Sequence, residues 1–221
     1  MKHWLKENRG FLIFLICFGF FRTAFADWNP IPSSSMRPTL LEGDVVLVNR
    51  LAYDFKVPLT DISLAQLGEP KRGDVVTFTS PKDGVRLIKR VVGLPGDTIE
   101  MRSERLFING VPVEYGGAES GLEPIGTDNA RSLRRSEQLG QREHAVQFLP
   151  DVIAMRSFGP IKVPESSYFL PGDNRDNSAD SRYIGVVPRR LLIGRAHRIL
   201  VSANATGDWL PRFERFAKAI E

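Results

Sequence analysis

Val85-Arg86-Leu87-Ile88-Lys89-Arg90-Val91-Val92-Gly93-Leu94-Pro95-Gly96-Asp97 alternates in side-chain character and then halts at a Gly-Asp pair. In an extended chain successive side chains point to opposite faces, so Leu87, Lys89 and Val91 share one face. Arg86, Ile88 and Arg90 share the other. The same device, Gly-Asp immediately before a strand-like run, recurs at 43–44, 73–74 and 96–97. The runs it introduces are Val45–Val48, Val75–Phe78 and Thr98–Met101. Leu106-Phe107-Ile108, Asn109-Gly110 and Val111-Pro112-Val113 read as a hairpin, because Asn-Gly suits a type I′ turn. Strand-like runs resume at 152–163, 167–170 and 191–202. The expected fold is mostly β: an antiparallel domain over 27–205, carrying a less regular insertion near 103–163. Residues 51–71 read as a surface excursion without an assignable role. Residues 116–145, rich in Gly, Ser, Glu and Arg without an apolar period, read as a flexible surface loop.

Composition narrows the class. A chain of 221 residues buries a real core, and its 42% hydrophobic and 25% charged residues are those of an ordinary folded protein. A net charge of +4 suits an anionic membrane surface and also nucleic acid. The chain lacks a zinc-finger cysteine pattern, an RNA-binding aromatic signature and a long basic run, so no nucleic-acid partner is expected. The single cysteine, Cys17, excludes an intrachain disulfide. His3, His144 and His197 form no pair at metal-binding spacing, so neither a metal nor another cofactor is expected.

The first ten residues carry Lys2, Lys6 and Arg9 against Glu7, and Phe11–Phe21 is then unbroken apolar sequence. Basic residues ahead of an apolar run favour a cytoplasmic N-terminus. The run is shorter than the roughly 20 residues of a full span. Two readings stand. Ala24-Phe25-Ala26 ends a stretch that matches a secretory signal cleaved before Asp27. Alternatively residues 1–26 are a retained single-pass anchor, with Trp4 and Trp28 at its two interfaces. Both put everything after Asp27 outside the cytoplasm.

Three stretches carry the chemistry. In Ile31-Pro32-Ser33-Ser34-Ser35-Met36-Arg37-Pro38-Thr39-Leu40 the prolines stiffen the ends, and Ser33 and Ser35 point to one side when extended. One hydroxyl is placed to attack a carbonyl while the other steadies the oxyanion, although a lone Ser-Ser-Ser is more often a polar loop. Lys89 lies among aliphatic neighbours on its strand face. Burial would lower its pKa and leave a neutral amine able to take a proton, whereas the common fate of a strand lysine is to reach for solvent. The third stretch, Gly172-Asp173-Asn174-Arg175-Asp176-Asn177-Ser178-Ala179-Asp180-Ser181-Arg182-Tyr183-Ile184-Gly185, is loop by composition. It lacks the spacing and distal Glu of an EF-hand calcium loop.

Together these stretches resemble the boxes of type I signal peptidases, membrane-bound serine proteases that use a Ser–Lys dyad. Pro-Ser-x-Ser-Met-x-Pro-Thr, Ile-Lys-Arg-Val-Val-Gly-Leu-Pro-Gly-Asp and Gly-Asp-Asn-x-x-x-Ser-x-Asp-Ser-Arg are all present, and Gly73-Asp74-Val75-Val76 resembles a further, structural box. Ser34 stands where glycine is frequent in the family and Ile184 where an aromatic is common. The resemblance implies Ser35 as nucleophile and Lys89 as general base, with Ser33 in the oxyanion hole. It further implies that Ser178 orients the lysine amine and that Asp180 and Arg182 form a supporting ion pair. The substrate, an exported preprotein, would lie extended beside Ile31–Pro32 and Arg86, Leu87 and Ile88, and be cut after small residues at −1 and −3. The implied setting is the bacterial inner membrane, with the N-terminus cytoplasmic, the catalytic domain periplasmic, and membrane lipid and the secretion machinery as partners. A specialised enzyme for one substrate such as a pilin stays open. An inert membrane-anchored binding module is disfavoured by Ser35, Lys89 and Ser178 occurring together.

Two further expectations concern the ends. In residues 206–221, Trp209, Phe213, Phe216 and Ile220 fall at helical spacing, with Arg212, Arg215 and Lys218 between them. That is the pattern of an interfacial amphipathic helix, or of a helix packed on the β domain. Ala24-Phe25-Ala26, although it looks like a site for such an enzyme, lies too close to Ser35 in the chain to be presented in cis.

Overall fold

The computed structural model describes residues 2–24, 26–57, 60, 62–126 and 128–220. Two helices, α1 (Lys2–Glu7) and α2 (Arg9–Ala24), lead into a mostly antiparallel β structure. Its strands are β1 (Ala26–Pro30), β2 (Asp44–Asn49), β3 (Asp54–Lys56), β4 (Ser63–Gln66), β5 (Val75–Thr79), β6 (Arg86–Arg90), β7 (Thr98–Arg102) and β8 (Arg105–Ile108). They continue with β9 (Val111–Pro112), β10 (Tyr115–Ile125), β11 (Asp128–Leu139), β12 (Arg142–Phe148), β13 (Phe158–Lys162), β14 (Ser167–Tyr168), β15 (Val187–Pro188) and β16 (Leu192–Ser202). A short helix, α3 (Ser181–Ile184), precedes β15.

The main sheet has five strands in the order β1-β2-β16-β5-β6. The apolar alternation read from β2, β5 and β16 becomes its core, where Val46, Val48, Val75, Ala196 and Ile199 close over Ile31, Met36 and Leu40. A second cluster gathers Phe78, Val91, Leu170 and Leu192. β1 and β6 are the two edge strands, and Arg86 reaches from β6 to Asp27 (3.1 Å) and Asn29 (3.0 Å) on β1. Ala26 pairs with Asn49, so the 26–27 bond lies inside a paired strand; Phe25 is outside the described residues. Asn109 and Gly110 both adopt positive φ, 54° and 79°, as the type I′ reading of that hairpin requires.

Three expectations change. Residues 115–148 are not a flexible loop but a sheet, β10-β11-β12. Its pattern is hidden because inward positions carry Ser132, Glu137, His144 and Gln147, all buried, so burial there follows polar side chains. The insertion is therefore regular, and the excursion at 51–71 contributes the β3–β4 pair. The last segment is no α-helix. Pro211 removes a helical donor, and the chain pairs beside β16 instead, with Ile199 N–H donating to Lys218 O and Ile220 N–H to His197 O. Only Phe213–Arg215 makes a turn of 3-10 helix there. At the other end, no helix among the described residues is long and apolar enough to cross a membrane.

Candidate active site

The serine stretch runs extended through Ser33 (φ −136°, ψ 155°) and tightens into a 3-10 turn at Ser34–Met36. Met36 and Leu40, fully buried, anchor it to the core, and Arg37 N–H closes the turn on Ser34 O at 3.0 Å. This leaves Ser35 half-buried beside the edge strand β6, where Lys89 Nζ donates to Ser35 Oγ at 2.8 Å and to Ile88 O at 2.9 Å. Ser33 Oγ lies 3.4 Å from Ser35 Oγ. Lys89 is 2% exposed. Burial pulls its pKa down from 10.5 to about 8, against the attraction of Asp180 and Asp173 and with the repulsion of Arg182.

The loop from Gly172 to Gly185 closes over the serines from the other side. Asn174 donates its backbone N–H to Ser35 O (3.1 Å) and its Nδ2 to Ser34 O (3.1 Å), while Asn177 Nδ2 donates to Ser34 Oγ (3.0 Å). Gly172 sits where no side chain fits, since a Cβ there would fall 2.2 Å from Ser178 Oγ and 2.5 Å from Ser35 O. Asp180 accepts Gly172 N–H at 2.8 Å and a forked pair of bonds from Arg182 at 2.9 and 2.7 Å. Burial raises the Asp180 pKa, and the Arg182 guanidinium outweighs it, so the carboxyl stays below the usual range. Ser178 Oγ is buried and lies close enough to Asp180 to help hold that carboxyl down, while Lys89 gives its hydrogen bonds to Ser35 and Ile88 rather than to Ser178.

Of the residues singled out from sequence, Ser33, Ser35 and Lys89 meet directly, and the loop carrying Ser178, Asp180 and Arg182 packs against them. Ile31 has its N–H and C=O engaged by Asp44 O (2.8 Å) and Gly43 N–H (3.0 Å), with its side chain in the core. Pro32 and Arg86 are exposed, and Leu87 and Ile88 are half-buried along the open edge of β6. Sequence reasoning assigned no role to Arg90, which is buried on the face of β6 opposite Lys89. Its Nε and Nη2 each donate to Asp173 at 2.8 Å. Thr39 Oγ1 also donates to Asp173, tying the serine stretch to the same carboxylate. The roles of Asn174 and Asn177 were missed as well. All of these residues stand inside the three quoted stretches, but nothing in a linear sequence pairs them. Among the described residues no cluster of three or more His, Cys, Asp or Glu is placed to hold a metal.

A seryl hydroxyl hydrogen-bonded to a buried, easily deprotonated amine is equipment for covalent acyl transfer without histidine. The family model described as signal peptidase, peptidase S26, matches residues 1–201. A signal peptidase I of Pseudomonas fluorescens is 41% identical over 200 residues, covering 84% of this chain and 68% of that protein. One of Pseudomonas aeruginosa is 40% identical over the same shares. A crystal structure of a signal peptidase I from Enterococcus faecalis is 31% identical, covers 57% of this chain and 96% of that one, and has a TM-score of 0.35. The chain belongs to the signal peptidase family, peptidase S26, and its activity is that of a serine peptidase removing signal peptides.

Proposed function

We propose that signal-peptide removal proceeds here through an acyl-enzyme on Ser35, with Lys89 as general base. The observation that carries this reading is the 2.8 Å hydrogen bond between the Lys89 amine and Ser35 Oγ, at a lysine almost wholly out of water. Neutral Lys89 takes the Ser35 proton as Oγ attacks the scissile carbonyl carbon. The tetrahedral oxyanion is held by the Ser35 backbone N–H and the Ser33 hydroxyl. As the intermediate collapses, the Lys89 ammonium returns the proton to the departing amine and so becomes neutral again. It then activates the water that releases the signal peptide from Ser35. Asp180 and Arg182 brace the loop that carries Ser178, and Ser178 orients the Lys89 amine during the cycle.

The preprotein enters as a strand between the open edges of β1 and β6. Because Ile31 is paired inward, the outward acceptors on the first edge are the carbonyls of Pro30 and Pro32, which have no N–H to offer. The other edge is the backbone of Arg86, Leu87 and Ile88. Small residues at −1 and −3 of the preprotein belong to the same reading. The enzyme is held at the inner membrane by its N-terminal segment, basic end in the cytoplasm and β domain in the periplasm. Asn8 N–H to Trp4 O (3.0 Å) and Leu12 N–H to Asn8 O (2.9 Å) carry helical bonding across the break between α1 and α2. The unbroken apolar run Phe11–Phe21 accounts for only about 16 Å of this segment at 1.5 Å per residue, short of about 30 Å of hydrocarbon.

The test is incubation of the full chain, in detergent and lipid, with several unrelated preproteins, reading cut sites by mass spectrometry. We expect cleavage of all of them after small residues, and none by Ser35→Ala. Retained cleavage by Ser35→Ala would overturn the nucleophile, and cleavage of a single preprotein would mark a specialised enzyme.

A further inference from the structure

We infer that the inserted sheet β10-β11-β12 is part of the catalytic apparatus, and that its Glu123 and Glu137 are positioning residues for Ser35. This rests on Ser35 being the nucleophile. The sheet lies outside the five-stranded core, and the two buried carboxylates it sends across reach two different segments of the site.

Glu123 on β10 is 3% exposed and accepts from Arg37 Nη1 at 2.7 Å. Arg37 follows Ser35 by two residues, and its own N–H closes the turn that presents Ser35. Its Nε is held by Glu42 at 2.7 Å, so the guanidinium is fixed from both sides. Glu137 on β11 is 0% exposed and takes both ends of the Arg175 guanidinium, with Nη1 at 2.7 Å. Burial raises the Glu137 pKa, and Arg175 together with His144, whose Nε2 lies 3.3 Å from the carboxylate, more than reverses this, leaving it ionised well below the usual range. Arg175 Nε donates to Gly172 O (3.2 Å), and its N–H donates to Gln147 O on β12 (2.8 Å). The neighbouring Asn174 N–H is the donor to Ser35 O. Ser35 is thus held on its C-terminal side through Arg37 and at its own carbonyl through the 172–175 turn, and both supports end on the inserted sheet.

Glue alone would not require this chemistry. A buried ion pair returns little more than the desolvation it costs, and an apolar pair of similar volume often serves stability as well or better. Forked carboxylate–guanidinium bonds add a fixed direction. Direction matters at a nucleophile, where a misplacement of about 1 Å can lower the rate on the order of a hundredfold.

The experiment compares wild type with the double variant Glu137→Leu/Arg175→Met and with Glu123→Gln, in the full chain. Each is read by Tm, by kcat and KM on a preprotein, and by the pH midpoint of kcat/KM. The double variant removes both charges of the pair and costs only the contact of buried His144 with Glu137 (3.3 Å), so its Tm should fall modestly at most. We expect its kcat to fall at least tenfold with KM and the pH midpoint unchanged, because Lys89 and the substrate edges are untouched. Glu123→Gln, in which Arg37 keeps Glu42, should fold and lose kcat severalfold, again at constant KM. Wild-type kcat in a folded double variant overturns the inference. If the double variant does not fold, wild-type kcat in Glu123→Gln overturns it. Ser35→Ala run in parallel separates the two readings: if it still cuts, the nucleophile assignment has failed; if it is dead while the clamp variants are fully active, only the clamp has failed.

Discussion

Lys89 and Arg90 are neighbours on β6, both nearly out of water at 2% and 1% exposure, and the two faces of the strand treat them oppositely. Arg90 meets a carboxylate with matched geometry, Asp173, plus the carbonyl of Gly73 at 2.9 Å. Lys89 meets a hydroxyl and one backbone carbonyl, and the carboxylates that attract it act from beyond hydrogen-bonding distance. The difference follows from what each cation can do when it loses water. A guanidinium keeps its charge at any workable pH and must be paired, whereas an ammonium can shed its proton. On the proposed reading, one strand therefore supplies a strut on one face and a base on the other.

The sharpest way to break that comparison is to make the two residues alike. Lys89→Arg should lower kcat/KM about a thousandfold, the scale of a lost general base, because the guanidinium cannot take the Ser35 proton. In wild type, kcat/KM should climb with pH and level off above about 8, where the amine is neutral. At pH 7 roughly one molecule in ten would be in the active form. An active arginine variant, or a rate that is flat from pH 6 to 9, would mean that Lys89 is a strut like its neighbour. On the opposite face, Asp173→Asn leaves Arg90 buried without its counter-charge. Denaturant unfolding should show a loss of roughly 3–5 kcal/mol, the usual penalty for breaking a buried pair from one side. A loss of only a few tenths would show that Arg90 does not depend on the pairing that sets it apart from Lys89.

The strand face of Lys89 was legible from sequence because alternation is a local property, and so were the Gly-Asp turns. Gly43, Gly73 and Gly96 all take positive φ, near 90°, a demand that glycine meets within its own residue. Legibility failed wherever burial was satisfied by distant partners. Glu137 finds Arg175 across 38 positions and Glu123 finds Arg37 across 86, so the strands that carry them show no apolar period and read as loop. The C-terminal segment failed for another reason. Its helical spacing of Trp209, Phe213 and Phe216 is genuine, but Pro211 and backbone pairing with β16 override it. The serine, lysine and Gly-Asp-Asn stretches were legible as a site through family resemblance, while the struts beneath them, Arg90 to Asp173 above all, were visible as residues and not as partners.

The smallest expected effect asks whether the fold works against the Lys89 ammonium or holds it. The amine has a pKa of about 8 in the fold against 10.5 for the free group, so the folded value is depressed. Between those values the unfolded chain binds a proton that the folded chain sheds, and stability rises with pH across that window. Below about pH 8 the penalty is fully present, and the interval amounts to about 3 kcal/mol at most. Met is unbranched, of similar length and apolar, so Lys89→Met should fill the same space without that penalty. Denaturation at pH 6, 8 and 10 should find the variant more stable than wild type at pH 6, with the advantage starting to shrink near pH 8 and down to roughly a quarter by pH 10. The enzyme would be inactive throughout, which separates the stability effect from the catalytic one. Should Lys89→Met be the less stable protein at pH 6, Asp180 and Asp173 would be holding the ammonium as firmly as Asp173 holds Arg90, and the two faces of β6 would no longer differ in kind.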